Sequence, residues 1–277
     1  MWKSKSFSIA VILIALLLSG CLSIEPTYNK EKLVESITVL CKSEYSVEPR
    51  VWLLGECVWI YLPLSRLITK DLDWDKENTE KINKVMMGTS RVLLSMKPRP
   101  QFLVFIASDT EEYGLDYISI SWIPDIVKYQ LQFISRDEFG RRHVTKIKEN
   151  SAAIGDLNGD HIDKKEIKLP DFLAAQIAQR INNKFTLDPK LKGYFEVKDA
   201  YGIFQEDTFL IHADVKQTKP LPQGSIDIQE EMNKIIAYVI REYDFKDFLL
   251  VKIENPATGE NTSYSRLALR QFLRREF

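Results

Sequence analysis

Two stretches of this chain carry the same pattern 150 residues apart, and this internal repeat constrains the fold more than any other feature. Residues 80–86 (EKINKVM) align with residues 230–236 (EEMNKII), and the same offset pairs Trp59 with Phe209. Chance agreement between two amphipathic helices is the alternative, but the order of the surrounding patterns repeats as well. The sequence therefore predicts two copies of one structural unit.

The first half of the chain shows the order of elements in that unit. Apolar residues at helical spacing over 33–41 precede a hairpin pattern over 45–62. A second helix pattern follows Asp75, and a continuous apolar run over 102–107 indicates a strand covered on both faces. A short helix after Ser135 would close this copy.

The second half repeats that order. A helix pattern opens at Pro170, a hairpin pattern covers 194–215, and an amphipathic helix over 228–243 precedes a strand over 248–253. A helix after Ser265 would close the second copy. We therefore predict an α+β fold of two related α-β-β-α-β-α repeats, with mostly antiparallel sheets covered by helices.

The two copies leave one segment without a counterpart. We place the first repeat at 30–114, the second at 170–277, and an inserted connecting segment with an acidic loop at 115–169. Extra sequence on a duplicated scaffold is a common location for function, because exposed connections tolerate change.

The first twenty residues have the pattern of a secretory signal peptide. Lys3 and Lys5 give a positive start, an apolar run of about twelve residues follows, and small residues precede Cys21. This run is short for a membrane span, which needs about 20 apolar residues. Residues 1–20 are predicted to be removed, with 21–29 as a tether. The alternative is an uncleaved anchor with an incidental cysteine.

The residues Leu18, Ser19, Gly20 and Cys21 end this run in register and resemble the lipobox of prokaryotic lipoproteins. The resemblance covers only these first twenty-one residues. It implies a diacylglyceryl group on the Cys21 sulfur, cleavage before Cys21, and often a further acyl chain such as palmitate on the new amino terminus. It also implies an extracytoplasmic anchor. The location would be the outer membrane if the cell has one, because Leu22 is not Asp, and otherwise the outer face of the cell membrane.

Composition and charge limit the partners. The formal net charge is −1, and it becomes about −3 when Lys3 and Lys5 leave with the signal peptide. Nucleic-acid binders usually carry a basic surplus, so no nucleic-acid partner is predicted. Hydrophobic residues make up 45% of the chain, which is enough for a globular core.

Two further cysteines, Cys41 and Cys57, remain after processing. Outside the cytoplasm an even number of thiols indicates a disulfide, and closing a loop of about 15 residues would contribute roughly 3 kcal/mol. The alternative is two buried free thiols. A catalytic thiol is disfavoured because neither cysteine has a nearby His or a Cys-x-x-Cys partner.

The segment 156–166 is dense in side-chain oxygens. Asp156, Asn158 and Asp160 match the first three ligand positions of an EF-hand loop, and Asp163 and Glu166 match later positions if one residue is deleted. The segment thus resembles the EF-hand family with its turn glycine missing, which implies a structural calcium ion held by these five side chains. The alternative is an acidic surface turn.

The sequence contains no Gly-x-Ser-x-Gly, His-Glu-x-x-His or phosphate-loop motif. The carboxylates Asp109, Glu111 and Glu112 could serve a glycosidase, but a solvated loop is the simpler interpretation. Arg266 and Arg270 on a terminal helix either complement its dipole or contact anionic lipid headgroups near the tether.

These observations favour a non-enzymatic, lipid-anchored envelope protein of structural or partner-binding role, held to membrane lipid through Cys21 and bound to an envelope protein. The alternative is a lipoprotein that binds a small molecule or glycan in a cleft between the repeats. A hydrolase with a dispersed site is a third hypothesis, which perturbed carboxylates in a cleft would favour.

Overall fold

The structure is a computed structural model that describes residues 28–222 and 224–273. The predicted signal peptide and Cys21 lie outside the described residues. The elements of the first half are α1 (Leu33–Tyr45), β1 (Arg50–Leu54), β2 (Cys57–Leu64), α2 (Lys76–Leu94), β3 (Phe102–Asp109), β4 (Leu115–Trp122), α3 (Ile123–Gln130), α4 (Arg136–Arg142) and β5 (Val144–Glu149). Those of the second half are α5 (Leu169–Leu187), β6 (Phe195–Gln205), β7 (Thr208–Gln217), α6 (Ile228–Glu242), β8 (Leu250–Asn255), β9 (Glu260–Ser265) and α7 (Arg266–Leu273).

The fold is α+β with two units of the same topology, as predicted. The first sheet has the order β1-β2-β3-β4-β5 and the second has the order β6-β7-β8-β9. In each unit two antiparallel hairpins are joined by a helical crossover, so only the central pairs β2–β3 and β7–β8 are parallel. Asp75 and Asp227 start the two crossover helices by accepting the N–H groups of Asn78 and Glu230.

Each unit contains one strand more than the sequence predicted. Strand β4 lies in the predicted insertion, yet it pairs with β3 along its whole length, and β9 pairs with β8 in the same way. Helices α3 and α7 begin directly after these strands. The first unit therefore extends to residue 130, and α3, rather than the predicted helix after Ser135, corresponds to α7.

The hairpin turns show that the repeat offset is 151 residues rather than 150. Leu54 and Cys57 close the first turn, and Gln205 and Thr208 close the second. Trp59 is thus equivalent to Leu210, not to Phe209 as predicted. A shift of one residue matters in a strand because it moves every side chain to the opposite face.

Helix α5 lies between the two sheets. Its Phe172 ring is 5.4 Å from that of Phe102 in β3, and its Ala174 carbonyl packs directly against Gly202 in β6. Buried side chains surround the helix on most sides, which is typical of a helix covered by two layers. The order of layers is α1 and α2, the first sheet, α5 and α6, and the second sheet.

Two apolar clusters hold these layers together. One joins α1 and α2 to one face of the first sheet. The other joins the opposite face of that sheet to α5, α6 and the inner face of the second sheet. The two units therefore share a core, and apolar side chains fill the junction where a cleft between the repeats was predicted. No helix within 28–222 or 224–273 is long and apolar enough to span a membrane.

Candidate functional site on the outer face of the second sheet

Strand β7 divides its side chains between the shared core and the solvent. Phe209, Ile211 and Ala213 point inward and are buried, as strict alternation requires. Leu210 and His212 point to the outer face, which no layer of the described chain covers. This outer face is the candidate functional site.

The outer face carries two rows of side chains that run across all four strands. Strand register aligns them as Ile203, Leu210, Lys252 and Ser263 in one row, and as Tyr201, His212, Glu254 and Asn261 in the other. The β6–β7 half of each row is aliphatic or aromatic, whereas the β8–β9 half is charged or polar. The eight residues line an open groove of about 470 Å³.

The apolar half of the groove is partly open to water. Tyr201 is 50% exposed and Ile203 is 47% exposed. The Tyr201 ring stacks on the His212 ring at 4.6 Å between centroids, and His212 Nδ1 lies 3.6 Å from a carboxylate oxygen of Glu254. An apolar centre beside a polar rim is the usual anatomy of a non-obligate protein interface.

The equivalent rows of the first sheet have a different character. The hairpin offset of 151 maps Ile203 and Leu210 onto Trp52 and Trp59, and strand register extends that row to Val104 and Ile120. These residues belong to, or pack against, the shared core. The equivalent face of the first sheet is thus apolar along this row and covered by the shared core, whereas the outer face of the second sheet is mixed and open to solvent.

The acidic loop is part of that cover. Gly159 sits against the rings of Trp52 and Tyr61, and the Tyr61 hydroxyl donates to the Asp156 carbonyl. The Asp156 carboxylate accepts the backbone N–H groups of Asn158, Gly159 and His161 at 2.8–2.9 Å. Burial alone would raise the pKa of Asp156, but these hydrogen bonds outweigh it and hold the pKa below its usual range.

The structure does not gather the five predicted calcium ligands into one shell. Glu166 accepts the N–H of Glu56 in the β1–β2 turn, whereas Asp156 contacts Tyr61, which lies five residues further along the chain in β2, on the order of 16 Å away. Asp163 and Asp160 are exposed. Within the described residues no group of three or more His, Cys, Asp and Glu side chains could hold a metal ion. The loop departs from the EF-hand arrangement, and calcium binding remains a prediction without support from this geometry.

The two cysteines lie on opposite faces of the first sheet. Cys41 of α1 packs in the cluster under the helices, and Cys57 of β2 packs in the shared core. Both are free and buried, and the Cys57 Sγ accepts the N–H of Ile167 at 3.1 Å. Burial raises the pKa of both thiols, to about 11 for Cys41. The structure therefore departs from the predicted disulfide, because the sheet separates the two sulfurs.

Asp109, one of the carboxylates predicted as a possible glycosidase residue, stabilises a loop. Asp109 is fully buried, and its Oδ1 accepts the N–H groups of Glu111, Glu112 and Tyr113. It holds the β3–β4 loop closed. The arrangement does not pair it with a second carboxylate in the geometry of a glycosidase.

A buried ionic cluster joins helices α3 and α4 to the second unit. It consists of Asp125 on α3, Glu138 and Arg142 on α4, Arg180 on α5 and Glu242 on α6. The Arg142 guanidinium lies 2.9 Å from Asp125, 2.7 Å from Glu138 and 3.4 Å from Glu242, and Arg180 lies 2.8 Å from Glu242. Three carboxylates thus face two buried guanidinium groups, and the more exposed Lys128 and Arg141 pair with Asp125 and Glu138 from the solvent side.

One carboxyl of this cluster has a strongly raised pKa. Burial raises the pKa of Glu242 to about 7, and the adjacent Glu138 carboxyl adds to the rise. Burial would also raise the pKa of Glu138, but hydrogen bonds from Glu242, Arg142 and Arg141 outweigh it and hold that pKa below its usual range. Glu242 is therefore the carboxyl that takes up a proton most readily near neutral pH.

We expect stability to depend on the ionisation of Glu242. Its pKa is raised above the ordinary value of 4.5, so the stabilisation from its proton is complete below about pH 4.5 and is lost as the pH rises through about 7. Between about pH 5 and pH 8 the free energy of unfolding should fall by on the order of 2–3 kcal/mol through this group. Glu242→Gln, which mimics the protonated form, should flatten that fall in chemical denaturation measurements.

The matched control for this experiment is Glu80→Gln. Glu80 is exposed on α2 and pairs with Lys84, so its loss should leave the pH dependence unchanged. Equal pH profiles for the wild-type protein and Glu242→Gln would contradict the raised pKa of Glu242.

Sequence reasoning missed both the outer face and the ionic cluster. The alternation in β7 marked His212 as outward, but nothing local showed that its face would stay uncovered. The cluster joins residues up to 117 positions apart, between Asp125 and Glu242, and only the fold brings them together. No family model, curated protein or solved structure matches this chain.

Proposed function

We propose that this protein is a lipid-anchored, non-enzymatic component of the cell envelope that binds a partner protein through the outer face of its second sheet. The observation that carries the proposal is the difference between the two sheets. The row of Trp52, Trp59, Val104 and Ile120 is apolar and covered in the first sheet, but the equivalent row of Ile203, Leu210, Lys252 and Ser263 is mixed and faces solvent in the second.

The composition of the face supports a separable partner. A permanently covered face would resemble that of the first sheet, with tryptophan, valine and isoleucine across all strands. Lys252 and Glu254 instead share the face with Tyr201 and Ile203, which suits association from a stable free state. The lipobox resemblance supports the envelope location, because the anchor at Cys21 would restrict binding to partners at the same membrane.

The ionic cluster does not favour the hydrolase hypothesis. Its carboxylates are paired with Arg142 and Arg180 and buried between helices, and such networks also occur for structural reasons. The ligand-binding alternative loses its expected site because shared core fills the junction of the repeats.

A photo-crosslinking amino acid placed at Ile203 of the full-length chain tests the proposal in cells. We expect one recurrent envelope protein to be captured from this position. The matched control is Ile147, an isoleucine of β5 in the first sheet that is as exposed as Ile203, and it should not capture that protein. Cys21→Ala should lose the capture, because the unanchored chain no longer concentrates at the membrane.

A substitution then separates recognition from proximity. For this test the crosslinker is placed at Tyr201. Ile203→Asp should then reduce capture by at least about tenfold without changing thermal stability. Ile147→Asp should leave capture intact. Equal capture from positions 203 and 147 would contradict a partner face on the second sheet. Turnover of an envelope substrate by the purified protein would contradict the non-enzymatic assignment.

A further inference from the structure

The hairpin turns of both sheets lie at the same end of the molecule. Glu56 in the first turn contacts Glu166, three residues before α5 begins. The early α5 residue Ala174 packs against Gly202, near the second turn, whereas Phe185 at the other end of α5 contacts Phe195 at the start of β6. Both turns therefore lie near the amino-terminal end of α5.

The polypeptide also enters the fold at this end. The Lys30 ammonium lies 2.5 Å from the Glu56 carboxylate in the first turn, and Tyr28 pairs with Met96, shortly before β3. Tyr28 is seven positions after Cys21, and a chain of that length spans at most about 25 Å when extended. An acyl anchor on Cys21 would therefore keep this end of the molecule against the membrane surface.

Two exposed leucines occupy the same end of the second unit. Leu249 precedes β8 and is 67% exposed, and Leu267 in the first turn of α7 is 70% exposed. Leu249 is held next to the second hairpin turn, because its N–H donates to the Asp207 carbonyl at 2.7 Å. Both leucines line one open groove of about 480 Å³.

The charges around this groove balance. Among the described residues that line it, Lys246 and Arg266 face Asp207 and Asp247, and Lys246 also pairs with Asp244 at 2.8 Å. A surface without a net positive charge gains little from anionic headgroups. Burial of the two leucine side chains in the interfacial region is therefore the main attractive contribution.

We infer that the surface formed by Leu249 and Leu267 is a second membrane contact that rests on the lipid surface beside the anchor. This inference depends on the proposed lipid anchor at Cys21. This contact orients the protein so that the hairpin turns point toward the membrane. The two rows of side chains on the outer face of the second sheet then run parallel to the bilayer plane, because those rows cross the strands. The contact depends on apolar burial, so it should resist salt.

The test uses full-length lipidated protein in vesicles of phosphatidylcholine with or without phosphatidylglycerol. A photo-crosslinking analogue of leucine replaces Leu249 or Leu267, and lipid adducts are counted by mass spectrometry. The matched control is Leu72, which is 79% exposed and lies beyond the opposite end of β2. We expect at least about tenfold more lipid adducts at 249 and 267 than at 72, in both vesicle types and at high salt.

The outcomes separate this inference from the proposed function. The mass of the amino-terminal peptide reports lipidation of Cys21 independently, and an unmodified Cys21 would overturn the anchor itself. Lipidated protein with equal adducts at all three positions would overturn only the membrane contact. Adducts confined to anionic vesicles at low salt would also overturn it, because they would assign the contact to charge. In cells, capture of a protein rather than lipid at 249 and 267 would assign the groove to a partner.

Discussion

Arg142→Met is expected to destabilise the protein by about 3–5 kcal/mol. The guanidinium of Arg142 contacts Asp125, Glu138 and Glu242, and all three acidic side chains are largely buried. Removing it leaves buried carboxylates with too few cations, and breaking a buried pair from one side typically has a cost of this size. The measurement is the free energy of unfolding from urea titration at neutral pH.

The neighbouring Arg141→Met is the matched control. Arg141 pairs with the same Glu138 at 2.7 Å, but its own side chain is exposed, so its loss should change stability by less than about 1 kcal/mol. Lowering the pH should partly rescue Arg142→Met, because protonation removes the unpaired negative charge. A loss below about 1 kcal/mol for Arg142→Met would show that solvent screens the cluster.

Gly202→Ala is expected to destabilise the protein by about 1–3 kcal/mol or more. A Cβ at this position of β6 would lie 2.3 Å from the Ala174 carbonyl oxygen and 3.0 Å from a side-chain atom of Ile211. The first of these atoms belongs to the backbone of α5, so the helix between the sheets must move away. The effect should appear in the same urea titrations and extend to both units, because α5 packs on both sheets.

Gly140→Ala is the control for the glycine substitution. Gly140 lies in α4, and a Cβ there meets nothing within 4 Å, so alanine should be neutral or stabilise by up to about 1 kcal/mol through helix propensity. Wild-type stability for Gly202→Ala would mean that α5 does not pack as closely on β6 as the structure has it.

The sequence determined the features that depend on local periodicity. The helices around residues 80 and 230, the two hairpins and the buried strand β3 follow from the spacing of apolar residues. The relation between the halves was also readable, because each half repeats the same order of patterns. Strand β9 escaped prediction because asparagine and serine give a weak strand signal. Strand β4 alternates isoleucine with serine and has a strand pattern, but it was placed in the insertion because it follows the predicted end of the first repeat.

Tertiary structure alone decided which faces are covered and which distant residues meet. Cys41 and Cys57 are close in sequence, but the first sheet separates them. Helix α1 packs on one face of that sheet, whereas the Cys57 side chain points from β2 to the other face. Asp156 and Glu166 share one acidic segment, but a hydrogen bond from Tyr61 in β2 and one from Glu56 in the β1–β2 turn hold them apart. The exposure of Tyr201 and Ile203 depends on what packs across the whole sheet. Local pattern assigns a side chain to a face, but only the assembled layers determine whether that face meets protein or water.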